Sequence, residues 1–133
     1  MKKTAYILFI ALVSLMGIQG TPSGTAGSAP ENLPAGVISA MKSGNASELA
    51  SFFNSSIELN LMGKESIYSK SQSIVIMKDF FSKYPPTGFV IKFEGGKENS
   101  QYAIGNLTTT QGNFRVNFLI KNQLIHQLRI DKE

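Results

Sequence analysis

The chain contains no cysteine, a single histidine, and no apolar run long enough to span a bilayer. Each absence removes a class of function. Without cysteine there are no disulfides, no thiolate metal ligands, no cysteine nucleophile, and no residue for lipid attachment at a cleavage point. Stability must come from core packing. A lone histidine with no carboxylate pair nearby argues against a protein-built zinc or iron centre, so we expect neither metal nor cofactor. The first apolar run, Ala5 to Met16, is about a dozen residues where a spanning helix needs roughly 20.

What stands around that run gives it a meaning. Lys2 and Lys3 precede it, and small or polar residues from Gly17 to Gly20 follow it, which is the order of a secretory signal peptide. We expect a signal peptide over 1–20, cleaved between Gln19 and Ala29, and an exported product, periplasmic or extracellular, with no stable membrane anchor. Residues 21–31 are mostly Gly, Ser, Thr, Ala and Pro, too poor in large apolar groups to offset their ordering entropy, and are expected to form a flexible leader. The rest, 32–133, is the size of one domain.

An excess of one charge is also missing. The formal charge is +4, but removing Lys2 and Lys3 leaves 11 Lys and Arg against 9 Asp and Glu, or +2. Lys42, Lys64, Lys70, Lys78, Lys92 and Lys97 are scattered among acids, which excludes the basic stripe of a nucleic-acid binder.

Periodicity supplies the fold class. Leu33, Val37, Ala40 and Met41 repeat at helical spacing, with Pro34 in the first turn and Gly44 as the stop. Asn45-Ala46-Ser47-Glu48 opens a second helix with a capping box, its buried side being Leu49, Phe52 and Phe53. Ile57, Leu59 and Leu61 alternate as a strand, Gly63-Lys64 turns into a second one ending at Tyr68, and Ser69 to Gln72 caps a third helix that Pro85-Pro86 ends. Four strands follow: Phe89, Ile91 and Phe93 alternate with Val90, Lys92 and Glu94, and further strands are expected over 102–109, 113–120 and 124–130. Helices gathered before an antiparallel meander define an α+β domain.

Strand registers assign two faces. A turn at Gln111-Gly112 sets Phe114, Val116, Phe118 and Ile120 beside Leu107, Gly105 and Ala103 on an apolar face. A three-residue loop over 121–123 is expected next, because it puts Leu124, His126, Leu128 and Ile130 on that face, whereas a two-residue loop would bury Gln127 and Arg129. The other, mixed face carries Tyr102, Ile104, Arg115, Asn117, Leu119, Ile125 and Arg129.

The order of elements resembles the nuclear-transport-factor-2-like (cystatin-like) cone. Glu65-Ser66-Ile67-Tyr68-Ser69-Lys70, Lys78 to Pro86, Gln101-Tyr102-Ala103-Ile104-Gly105 and Phe114-Arg115-Val116 are similar to a family of exported bacterial proteins, known mainly in Bacteroidetes, catalogued as a domain of unknown function. The resemblance implies three N-terminal helices filling the hollow of a curved antiparallel sheet, export, and dimerisation through the outer sheet face. It brings no activity.

Candidate residues follow from the faces. His126 lies beside Ala103 and Gly105, whose small side chains leave room in the cone for a small apolar ligand, and Tyr68 and Tyr84 are placed at the rim. Each also has an ordinary packing role. Tyr102, Arg115, Asn117 and Arg129 form an aromatic and arginine surface suited to an interface. Asp79, on the polar side of its helix, is read as solvated. Asn45, Asn54 and Asn106 fit glycosylation sequons that arise readily by chance. The expected function is a non-enzymatic ligand- or protein-binding domain; the alternatives are an isomerase or dehydratase using His126 as base, and a structural envelope protein.

Overall fold

A computed structural model describes residues 33–133, so the expected signal peptide and leader lie outside the described residues. The elements are α1 (Ala35–Ser43), α2 (Ala46–Ala50), β1 (Phe53–Leu61), β2 (Lys64–Ser69), α3 (Lys70–Lys83), β3 (Pro86–Lys97), β4 (Ser100–Thr109), β5 (Gly112–Lys121) and β6 (Leu124–Lys132).

Local chemistry sets the helices. Gly44 ends α1 with φ +70°, and Asn45 caps α2 by accepting from the Glu48 N–H at 3.0 Å. The second helix is shorter than expected. Phe53 is not on its buried side but opens β1, where it is 1 % exposed. On α3 the capping box is complete: Ser69 Oγ accepts from the Gln72 N–H at 3.2 Å while Gln72 Oε1 accepts from the Ser69 N–H at 3.0 Å.

The strands form one six-stranded sheet in the order β2-β1-β6-β5-β4-β3. All pairings are antiparallel except β1 with β6, which run parallel and join the hairpin to the meander. One face packs on the helices. Val37, Leu49, Met77 and Phe81 meet Leu59, Leu107, Phe118 and Leu128 in a single cluster, each at most 6 % exposed. Phe80 and Tyr84, tilted against each other, both meet Phe114 edge-on, with centroids 4.9–5.4 Å apart where α3 meets the sheet.

The β4–β5 turn is two residues long, as expected, but lies at Thr110-Gln111, with Thr109 opposite Gly112. Thr109 Oγ1 donates to the Gly112 carbonyl at 2.7 Å and accepts from the Gln111 N–H at 3.0 Å, which fixes that turn. The turn moves by one residue and the pairing by two, Asn113 facing Thr108 and not Thr110, so both faces keep their expected members.

Two bulges decide the rest. The β5–β6 loop has two residues, not three: Asn122 and Gln123 both hold left-handed φ, +52° and +66°, and Lys121 pairs with Leu124. That register alone would bury Gln127 and Arg129. Pairing then steps from Ile120↔Ile125 to Leu119↔Gln127, and His126 is the extra residue of a bulge. Ile125 therefore faces the core, fully buried, while Leu128 and Ile130 regain the core face beyond the bulge. A second bulge at Lys92 lies between Ile91↔Gly105 and Phe93↔Ile104. It turns Phe93 out of the core set in which alternation placed it, and brings Glu94 to the core side opposite Ala103.

Candidate functional site

Packing of the core face leaves little of the expected hollow. Phe53, Phe81 and Phe118 are 1, 6 and 1 % exposed. The room expected above Gly105 is taken by Phe89: a Cβ on Gly105 would lie 2.8 Å from the Phe89 ring and 2.6 Å from the Val90 carbonyl oxygen. Phe89 in turn meets Phe118 edge-on at 6.2 Å. His126, half-buried on its bulge, does not line a cavity among those described. The space beside Gly105 in which a ligand was expected is thus filled by Phe89.

An open cleft of about 340 Å³ lies elsewhere, between the β1–β2 hairpin and α3. Leu59 and Leu61 form its floor, Met62 stands at the hairpin tip, and Lys64 and Tyr68 come from β2. Ile76, Asp79, Phe80, Lys83 and Tyr84 form the helical wall. Tyr68 and Tyr84, expected at the rim of the cone, both line this cleft, and His126 does not. Asp79 pairs with Lys83 one turn on at 3.2 Å, both side chains 66 % exposed, and Lys132 lies 6.0 Å above the Tyr84 ring. Neither member of that ion pair has the water-excluded setting of a general acid or base. What the cleft offers is apolar wall, phenol and ammonium.

The outer sheet face holds the four expected interface residues. Rows across it read Glu65-Asn60-Arg129-Asn117-Ile104-Phe93 and Ile67-Glu58-Gln127-Leu119-Tyr102-Gly95. Phe93 is 65 % exposed, Ile67 70 % and Val90 54 %. Tyr102 lies over Gly95, where a Cβ would stand 2.6 Å from its hydroxyl, so its ring covers the bare backbone of the neighbouring strand. Arg129 Nε donates to Asp131 at 2.7 Å, Arg115 Nε is 3.7 Å from a Glu133 oxygen, and Gln127 Nε2 donates to Glu58. The Asn117 Oδ1 is buried without a hydrogen-bond partner among the described residues. Glu65 is held above the ordinary carboxyl value, first by its hydrogen bond with Glu58 and then by repulsion from the same group.

Phe93, Val90 and Met62 were absent from the sequence-derived candidates. Nothing in the alternation of β3 announces a bulge, so Phe93 reads as core; the hairpin turn was expected at Gly63-Lys64 but lies one residue earlier, at Met62-Gly63, because Leu61 pairs with Lys64. Among the described residues there is no group of three metal-ligating side chains and no helix long and apolar enough to cross a membrane.

Residues 34–131 match the family model for DUF4783, a domain of unknown function. The chain belongs to the DUF4783 family. A DUF4783 protein from Bacteroides ovatus is 40 % identical, with a TM-score of 0.74 over 78 % of this chain and 98 % of its own. Another from Bacteroides uniformis is 36 % identical, with a TM-score of 0.72 over 75 and 96 %. An NTF2-like protein of unknown function from Cytophaga hutchinsonii, 12 % identical, has a TM-score of 0.56 over 81 and 95 %, and carries the fold alone. No curated protein matches the chain. DUF4783 membership and the cone fold are thus as the quoted segments implied.

Proposed function

We propose that this DUF4783 protein is an exported, non-enzymatic binding domain that works as a homodimer through its outer sheet face. The observation that carries the reading is Phe93. The Lys92 bulge turns this large apolar side chain onto the outer face beside Ile104, with Tyr102, Leu119 and Val90 around it. A contiguous apolar strip of that kind marks an interaction surface.

A second copy is the partner that fits it. A two-fold contact needs only one such strip, laid on itself near β4. Arg115 and Arg129 are already faced by Glu133 and Asp131, so two like faces meet without net repulsion. Six strands at about 4.8 Å and six residues at about 3.3 Å give a footprint of roughly 570 Å², about 70 % of the ~800 Å² a standard interface buries on each side. Export rests on the N-terminal pattern of Lys2, Lys3 and the apolar run.

Light scattering of the wild type, Phe93→Asp and Arg115→Glu tests the reading. We expect a two-chain mass for the wild type, one chain for Phe93→Asp, and a weakened dimer for Arg115→Glu. A wild type that stays at one chain, or a Phe93→Asp that stays at two, would refute it.

A further inference from the structure

Independently of the outer face, we infer that the cleft between the β1–β2 hairpin and α3 binds a small amphiphilic anion, a monocarboxylate on an apolar body. Three observations point there. The first is its walls: Leu59, Leu61, Ile76 and Phe80 make an apolar trough whose 340 Å³ suits on the order of ten non-hydrogen atoms at roughly 30 Å³ each.

The second is charge. Lys64 has no ion-pair partner among the described residues, Lys83 shares Asp79, and Lys132 stands over Tyr84, so ammonium groups outnumber the one carboxylate around the mouth. Neither Tyr68 nor Tyr84 has a side-chain hydrogen bond among the described residues, which leaves both phenols able to donate to an anionic head.

The third is backbone. Met62 and Gly63 form the two-residue hairpin turn with φ +52° and +90°, and Asn is the residue such a first position favours. A methionine in left-handed conformation is a local cost with no gain inside the turn. Its side chain instead lines the cleft, where a flexible thioether can follow the shape of an apolar guest, and the tip is held by the Met62 N–H donating to the Ile130 carbonyl at 2.8 Å.

The test is titration of the ¹⁵N-labelled protein with decanoate, decanol and decylamine. Decanoate is expected to move amides of 59–68 and 76–84 saturably at one site. Decanol should bind about three- to five-fold more weakly, as one exposed charge pair implies, and decylamine more weakly again. Lys83→Glu should bring decanoate down to the affinity of decanol. Met62→Asn should raise the unfolding temperature yet weaken both ligands, a combination that general damage to the fold cannot produce. Lys97→Glu, at the far end of β3 and outside the cleft, should leave binding unchanged. Equal binding of decanol and decanoate, shifts centred elsewhere, absence of saturation, or a Met62→Asn that binds like wild type would each overturn the assignment.

Discussion

Inserting one residue after His126 and replacing His126 with alanine should have very different consequences, because its place in β6 is a matter of counting. The two-residue turn at Asn122-Gln123 fixes Ile120 opposite Ile125, and the bulge takes up the one extra residue, His126, so that Leu128 faces Phe118. With a second residue inserted after His126 and the bulge still holding one, Leu128 and Ile130, both 0 % exposed, turn outward while Gln127 and Arg129 turn onto Phe118 and Val116. Losing the burial of two such side chains costs about 3–6 kcal/mol, and burying two polar ones without partners adds about 1–3 kcal/mol each. The sum reaches the ~5–15 kcal/mol that holds a domain folded. His126→Ala keeps the count and removes one half-buried ring, so its cost should stay within about 1 kcal/mol. Thermal unfolding followed by circular dichroism reads both. An insertion variant that unfolds cooperatively at the native temperature would refute the bulge account, and a His126→Ala variant that fails to fold would mean that the side chain, not the spacing, matters.

Other perturbations follow from the same packing. Gly105→Ala places a methyl 2.6 Å from the Val90 carbonyl and 2.8 Å from the Phe89 ring, and should lower stability by about 1–3 kcal/mol in denaturant titration. Ser69→Ala removes the cap of α3 and should cost about 1 kcal/mol by the same measurement. Glu58→Gln should lower the Glu65 titration midpoint, followed by carboxyl carbon shifts, toward the ordinary value. Because Glu65 binds its proton more tightly in the folded state, its contribution makes the wild type gain stability as pH falls from neutral through that raised value, and Glu58→Gln should flatten this trend.

The parts of the fold that were legible in the sequence are those written locally. The capping box from Ser69 to Gln72, the Pro85-Pro86 stop and the Gly44 terminus act within a turn of helix, and each sits where it was read. Alternation in β5 likewise placed Phe114, Val116 and Phe118 in the core. Bulges are different, since one additional residue leaves no mark on composition. The bulge at Lys92 exchanged the faces of Phe93 and Glu94, and the one at His126 let a short turn coexist with a buried Leu128. The parallel pairing of β1 with β6 spans the length of the domain and has no local signal either. For the same reason the cleft that Tyr68 and Tyr84 line was not read as a site of its own, and His126 was assigned to a hollow that Phe89 and Phe118 fill.

Sedimentation velocity of the wild-type protein over a range of concentrations tests the central claim most directly. A strip bearing Phe93, Tyr102, Ile104 and Leu119 that meets its own copy predicts a concentration-dependent shift to a two-chain species, lost in Phe93→Asp. A single-chain species at every concentration would contradict it.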